Sequence, residues 1–146
     1  MTIRLLVTDD NDLVRTGLVQ YLGMSPDIEV VAEAASGAEL LEKLRSTSAD
    51  LLLLDMAMPG MSGEELIGRV KQIYPGLRIL VLSMHNEIQV VMRAMMAGAS
   101  GYISKDRSPQ ELLEAIRETI ETGKHLNPAI AEQLAYLAAS TDSNTP

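Results

Sequence analysis

Cysteine, phenylalanine and tryptophan are all absent from this chain, and tyrosine occurs only four times. Without cysteine there is neither a disulfide frame nor a thiolate metal site. Without the two large aromatics, aliphatic side chains and nine methionines must fill the core. Basic residues are scarce as well: 12 Lys and Arg stand against 20 Asp and Glu, a net charge of −8. Nucleic-acid binding draws on clustered Lys and Arg, so the chain is not expected to grip phosphate backbones itself. No apolar run has the length of a membrane span or the form of a signal segment, and the chain is read as soluble and cytoplasmic, with no membrane partner. His85 and His125 are too few and too far apart for a zinc site. Neither a G-x-G-x-x-G nor a P-loop pattern occurs.

What is present is an ordinary globular balance, 47% hydrophobic and 22% charged over 146 residues, enough for one domain with a real core. The centre of the pattern is Leu51-Leu52-Leu53-Leu54-Asp55, followed by Met56-Ala57-Met58-Pro59-Gly60. Four consecutive leucines are too apolar for a half-exposed strand and suit one covered on both faces, as in a parallel sheet. Ligands of such sheets bind just beyond the carboxyl ends of the strands, which is where Asp55 stands.

The rest of the chain alternates in the same way. Ile3 to Val7 reads as a first strand ending in Thr8-Asp9-Asp10-Asn11-Asp12, and a helical stripe of Leu13, Val14, Gly17, Leu18, Tyr21 and Leu22 follows. Ile28 to Ala34 is a second strand. Ser36 and Ser62 open capping boxes with Glu39 and Glu65 before the next two helices. Arg78 to Leu82, ending at Ser83, is a fourth strand, followed by a methionine-rich helix from Asn86 to Ala97. Gly101 to Ser104 is a fifth strand, and Ser108-Pro109-Gln110-Glu111 starts a helix that Gly123 ends. This predicts a doubly wound α/β domain, a five-stranded parallel sheet of flavodoxin-like (βα)5 form with strand order 2-1-3-4-5. Residues 124–139 read as a linker with an extra C-terminal helix, begun by Asn127-Pro128 and striped by Ile130, Leu134 and Leu137. That stripe either packs back on the domain or serves a dimer contact or interdomain linker. Residues 140–146 are polar and read as a disordered tail.

All the strands run the same way, so their ends share one edge. Asp9, Asp10, Asp55, Ser83 and Lys105 should meet there. Taken singly, an Asp at a strand end is usually a helix cap or a solvated loop residue, Ser83 a turn residue and Lys105 a solvated charge. As a set they carry chemistry. Crowded carboxylates repel, and a hard divalent cation such as Mg²⁺ relieves that. With Lys105 and Ser83 adding a cation and a short donor, the edge suits a phosphoryl group arriving at Asp55 as nucleophile.

At these motifs the chain resembles the receiver domain of two-component response regulators. The likeness rests on Asp9-Asp10, on Asp55 through Gly63, on Ser83 and on Gly101-Tyr102-Ile103-Ser104-Lys105, and spans residues 3 to 123. It implies that Asp55 accepts a phosphoryl group from a sensor histidine kinase. It also implies that Asp10, Asp55 and the Met56 carbonyl hold Mg²⁺, with Asp9 supporting through water. Ser83 and Lys105 would clasp the phosphoryl oxygens, and Tyr102 would be a switch aromatic turning inward with Ser83. A plainer reading leaves Tyr102 as a half-buried strand aromatic. Lys105-Asp106, Glu111-Leu112-Leu113, Ala115-Ile116-Arg117 and the segment from Gly123 to Pro128 are similar to NarL/FixJ-type regulators. In that group a helix-turn-helix domain follows the receiver, so any DNA contact is expected only through an output domain beyond this chain, whether the chain is a truncated regulator or a receiver that works alone. A homodimer is a further expected partner.

Two departures from the family pattern stand out. Many receivers carry proline after the Lys, with a cis bond before it; here Asp106 follows Lys105, and a cis bond without proline would cost roughly 3 kcal/mol. Ala57 and His85 occupy the positions two beyond Asp55 and Ser83, where the family tunes dephosphorylation through water access. The expected role is a signalling switch that catalyses its own phosphorylation and dephosphorylation, not a turnover enzyme. A flavin carrier on the same fold is a competing class, but Asp9 and Asp10 would repel a cofactor phosphate. A Mg²⁺-dependent phosphatase is another, without an obvious second general acid.

Overall fold

The structure, a computed structural model, describes residues 1–83, 88–126, 131, 132, 134–136 and 139. Ten elements alternate along it: β1 (Ile3–Thr8), α1 (Asp12–Gly23), β2 (Ile28–Ala34), α2 (Gly37–Ser46), β3 (Leu51–Asp55), α3 (Gly63–Ile73), β4 (Arg78–Ser83), α4 (Ile88–Ala97), β5 (Gly101–Ser104) and α5 (Pro109–Thr122). The five strands form one parallel sheet in the order β2-β1-β3-β4-β5. The doubly wound reading and its strand order therefore hold.

The leucine run shows why. Successive side chains of a strand point to opposite faces. Leu52 and Leu54 enter a core with Leu40, Leu66, Ile67, Val70 and Val91 from α2, α3 and α4. Leu51 and Leu53 enter a second core with Leu22 from α1 and Leu112, Leu113 and Ile116 from α5. All five β3 residues are buried, so any polar group there would lack water on either face. Asp55 is the one polar residue among them; it too is buried, and at the strand end the Ala57 amide and Lys105 meet its carboxylate.

Local signals set the helix ends. Ser36, Ser62 and Ser108 each accept from the amide three residues on, Glu39, Glu65 and Glu111, at 3.1 Å. α5 ends where Gly123 adopts φ 86°, a left-handed conformation that suits glycine. The α1 stripe holds in its second half, where Leu18, Tyr21 and Leu22 pack on the core, and not in its first turn. Leu13 is 83% exposed and Val14 41%, and Leu22 is the buried residue of α1. The first turn of this helix, capped by Asn11, leaves Leu13 and Val14 exposed to water instead of burying them against the sheet.

Beyond α5 the chain returns to the sheet. His125 forms a parallel bridge with Gly101: the Tyr102 amide donates to the His125 carbonyl at 2.9 Å, and the His125 amide to the Ser100 carbonyl at 3.2 Å. Residues 131, 132, 134–136 and 139 are helical, and Leu134 packs against the core beneath α2, α3 and α4. His85, the expected helix start at Asn86, the start at Asn127-Pro128, Ile130, Leu137 and the tail 140–146 lie outside the described residues. No described helix is long and apolar enough to cross a membrane.

Candidate functional site

The ends of β1, β3 and β5 converge on one cleft of about 580 Å³, lined in part by Asp9, Asp10, Asn11, Asp55, Ala57, Ser104 and Lys105. Asp9 and Asp55 form its floor, 0% and 1% exposed, while Asp10 is exposed at the rim. Lys105 reaches across from the end of β5. Its Nζ lies 2.9 Å from Asp55 Oδ2 and 3.3 Å from Asp9 Oδ2. Burial pulls the Lys105 pKa down, but the hydrogen bond and charge of Asp55, with those of Asp9, outweigh it and hold the ammonium above its ordinary value.

The remaining carboxylate oxygens are held by the backbone. Asp55 Oδ1 accepts from the Ala57 amide at 3.0 Å, and Asp9 Oδ1 from the Asn11 amide at 2.9 Å. One oxygen from each of Asp9, Asp10 and Asp55 lies within 4.8 Å of the others, a spacing that a single cation could draw together. Asp9 Oδ2 is buried, and its one polar contact among the described residues is the long 3.3 Å ion pair with Lys105. Three carboxylates facing one ammonium leave net negative charge and an underused buried oxygen. This oxygen-rich set fits a hard divalent cation such as Mg²⁺.

Met56 follows Asp55 into the turn, its amide donating to the Leu82 carbonyl at 2.9 Å. Ala57 is exposed at the cleft mouth. Ser83 is held beside the site through its main chain: the Lys105 amide donates to the Ser83 carbonyl at 2.8 Å, although Ser83 is not among the residues lining the cleft. Tyr102 is 1% exposed, so it is fully buried instead of half-buried. Desolvation raises its hydroxyl pKa, partly offset by a hydrogen bond with Ser104. There is no cis peptide among the described residues, so the Lys105–Asp106 bond is trans.

Sequence reasoning missed three neighbours. Thr8 is fully buried at the end of β1, and its hydroxyl finds no hydrogen-bond partner among the described residues. Asn11 caps α1 while its amide steadies Asp9. Arg15 donates to the Asp9 carbonyl at 2.7 Å. The Asp-x-Asn cap pattern could have flagged Asn11; nothing in the spacing marks Thr8 or Arg15.

A parallel doubly wound sheet with an acidic cluster and an opposing lysine at its carboxyl edge defines a single-domain α/β module built around a carboxylate–ammonium centre. The chain belongs to the response regulator receiver domain family, whose profile matches residues 5–117. It is 37% identical to response regulator GacA of Pseudomonas viridiflava over 133 residues, 91% of this chain and 62% of that protein. It is also 37% identical to the nitrate/nitrite response regulator protein NarL of Escherichia coli K12 over 142 residues, 94% of this chain and 66% of that one. The chain thus spans just under two thirds of the length of these curated relatives. Among solved structures, a LuxR-family two-component response regulator from Aurantimonas sp. SI85-9A1 is similar with a TM-score of 0.85 at 34% identity, covering 95% of this chain and 99% of that one.

Proposed function

We propose that this receiver domain is a phosphorylation-dependent switch of a two-component system. The observation that carries this reading is the position of Lys105 Nζ, 2.9 Å from the Asp55 carboxylate and across from the Asp9–Asp10 pair. In the transfer, an Asp55 oxygen attacks the phosphorus of a kinase phosphohistidine. The new O–P bond forms as the N–P bond breaks, and the imidazole leaves and takes up a proton. Mg²⁺, bound by Asp10, Asp55 and the Met56 carbonyl with Asp9 in support, would neutralise charge on the phosphoryl oxygens. Lys105 gives up part of its contact with Asp55 to meet those oxygens, and Ser83 supplies a hydroxyl donor. The cycle is autocatalytic and stoichiometric on Asp55, so the domain is not a turnover enzyme.

Residues 1–123 form the switch unit, 124–139 a connecting segment and 140–146 a tail. Ser83 and Tyr102 relay the change to the surface of α4, β5 and α5, which governs dimerisation or a DNA-binding output domain. The partners are a sensor histidine kinase and a second copy, in the cytoplasm. A receiver acting by protein–protein contact alone is the second reading; the net charge of −8 is compatible with both. Ala57 and His85 set access of hydrolytic water to the phosphoryl group. Replacing Ala57 by Asn should change the decay rate, and equal rates would remove that role.

Incubation of the intact chain with Mg²⁺ and acetyl phosphate, read by intact mass, tests the central step. One added phosphoryl group on the parent and none on Asp55→Ala is the expected result. Retention of the adduct by Asp55→Ala would overturn it, and steady phosphate release without any adduct would favour a phosphatase.

A further inference from the structure

We infer that Arg15 is a positioning residue for the acidic turn, fixing the main chain between Asp9 and Asp10 so that both carboxylates are presented to a divalent cation. The inference rests on the Mg²⁺-dependent reading above, and concerns a residue outside the set assigned there.

Arg15 sits one turn into α1, and all three faces of its guanidinium are engaged. Nη1 donates to the Asp9 carbonyl at 2.7 Å, Nη2 to Asp12 Oδ1 at 2.7 Å and Nε to Glu33 Oε1 at 3.2 Å. Its side chain is 14% exposed, whereas those of Asp12 and Glu33 are 82% and 45% exposed. An ordinary surface ion pair leaves both partners in water and contributes little. Here the cation is the covered member, and two peripheral carboxylates orient it toward a main-chain oxygen. A planar fork holds its donors on three nitrogens in fixed directions; a lysine has three donors too, but all on one nitrogen that reaches a single point.

The Asp9 carbonyl is the acceptor that matters. The Asp9 amide is already fixed by the Ala34 carbonyl at 3.1 Å, an extension of the β1–β2 pairing. With the carbonyl fixed as well, both ends of Asp9 are clamped. The peptide joining Asp9 to Asp10 is planar and trans, so orienting its C=O sets the direction in which the chain leaves toward Asp10. Asp10 is exposed, and its side chain makes no hydrogen bond or ion pair among the described residues; its placement within 4.8 Å of Asp9 and Asp55 depends on this backbone. Arg15 therefore acts on the carboxylates through the peptide plane, not by touching them.

Positioning and simple electrostatics predict opposite signs. A guanidinium beside an acidic cluster repels an incoming cation, so removing its charge should tighten Mg²⁺ binding if charge alone matters. Removing a residue that orients ligands weakens binding, typically 10- to 100-fold for groups one shell out from a metal.

Calorimetric titration of the full chain with MgCl₂ decides between them, run well below each variant's melting temperature as measured by circular dichroism. Arg15→Met should lose roughly 10- to 100-fold in Mg²⁺ affinity. Arg15→Lys should recover only part of that, because it keeps the charge and loses the fork. Glu33→Gln should show a smaller loss, less than additive with Arg15→Met because both act on one network. Equal or tighter Mg²⁺ binding by folded Arg15→Met overturns the inference, even if its melting temperature falls. If Arg15→Met does not fold, Glu33→Gln decides, and unchanged affinity there overturns it too. Failure of the unmodified chain to bind Mg²⁺ would overturn the metal reading itself, and this inference with it.

Discussion

Replacing Lys105 by Met removes the one ammonium that faces Asp9 and Asp55 among the described residues, while roughly keeping its volume. At an effective dielectric constant near 20, its contacts at 2.9 Å and 3.3 Å correspond to about 6 and about 5 kcal/mol of gross Coulomb attraction. Most of that is cancelled by the cost of desolvating Lys105. What remains is the penalty of leaving two carboxylates, 0% and 1% exposed, beside each other without a counter-charge. Breaking a buried pair in this way costs about 3–5 kcal/mol, against a total domain stability of about 5–15 kcal/mol. A cation that binds the folded cluster should restore much of it: at a hundred times its dissociation constant, about 2.7 kcal/mol. Urea unfolding by circular dichroism, in EDTA and in Mg²⁺, measures both terms. The variant should lose stability in EDTA and regain more from Mg²⁺ than the parent does. The pH dependence has a definite sign. Since folding raises the Lys105 pKa, the parent's advantage is complete below the unfolded lysine value near 10.4 and is lost as pH rises through the higher folded value. Equal urea midpoints for parent and variant in EDTA at neutral pH would refute the reasoning.

Three further perturbations test other parts of the fold. A Cβ at Gly101 would strike the His125 main chain, with the amide nitrogen at 2.8 Å and the carbonyl nearer still. Gly101→Ala should therefore detach residues 124–126 from β5 and speed hydrogen exchange at the Tyr102 amide; unchanged exchange would refute that. Gly123→Ala forces an alanine into φ 86° and should cost about 1–2 kcal/mol, visible as a lower melting temperature. Asp27 has a lowered pKa, chiefly from its two hydrogen bonds with Arg117 at 2.8 and 3.0 Å. Its contribution is present above the unfolded value near 3.9 and vanishes as pH falls through the depressed folded value, so Asp27→Asn should differ from the parent at pH 7 and converge with it in strong acid.

The sheet and its order were legible because they rest on period and direction. A strand buried on both faces must be apolar throughout, which β3 shows, and parallel strands place their ends together whatever the side chains are. Capping serines were legible because a cap acts over three residues. Arg15 was not, because its meaning lies in contacts with Asp9 and Glu33 that sequence spacing cannot reveal. Leu13 and Val14 misled because a helical stripe shows which residues share a face, but not whether the sheet extends beneath that end of the helix. His125 was read for its imidazole, yet it contributes main-chain groups to the sheet edge, for which a single bridge leaves no pattern.

That last bridge bears on how a change at Asp55 could leave the site. β5 is only four residues long, and its carboxyl end and its middle are tied to different things. At its carboxyl end Lys105 pairs with Asp55 and donates its amide to the Ser83 carbonyl. In its middle the Tyr102 ring fills the core shared with Val91 and Ala94 of α4. The Tyr102 amide, on the open edge, holds His125. A phosphoryl group competing for Lys105 would thus act on a strand with little length over which to absorb displacement. The two outlets on that strand are the packing of α4 and the attachment of the segment after α5. If the proposed switch operates, hydrogen exchange on adding beryllofluoride and Mg²⁺ should change at the Tyr102 and His125 amides. It should stay constant in β2, at the far edge of the sheet. A response confined to residues 9–10 and 55–57 would mean that β5 is not the route.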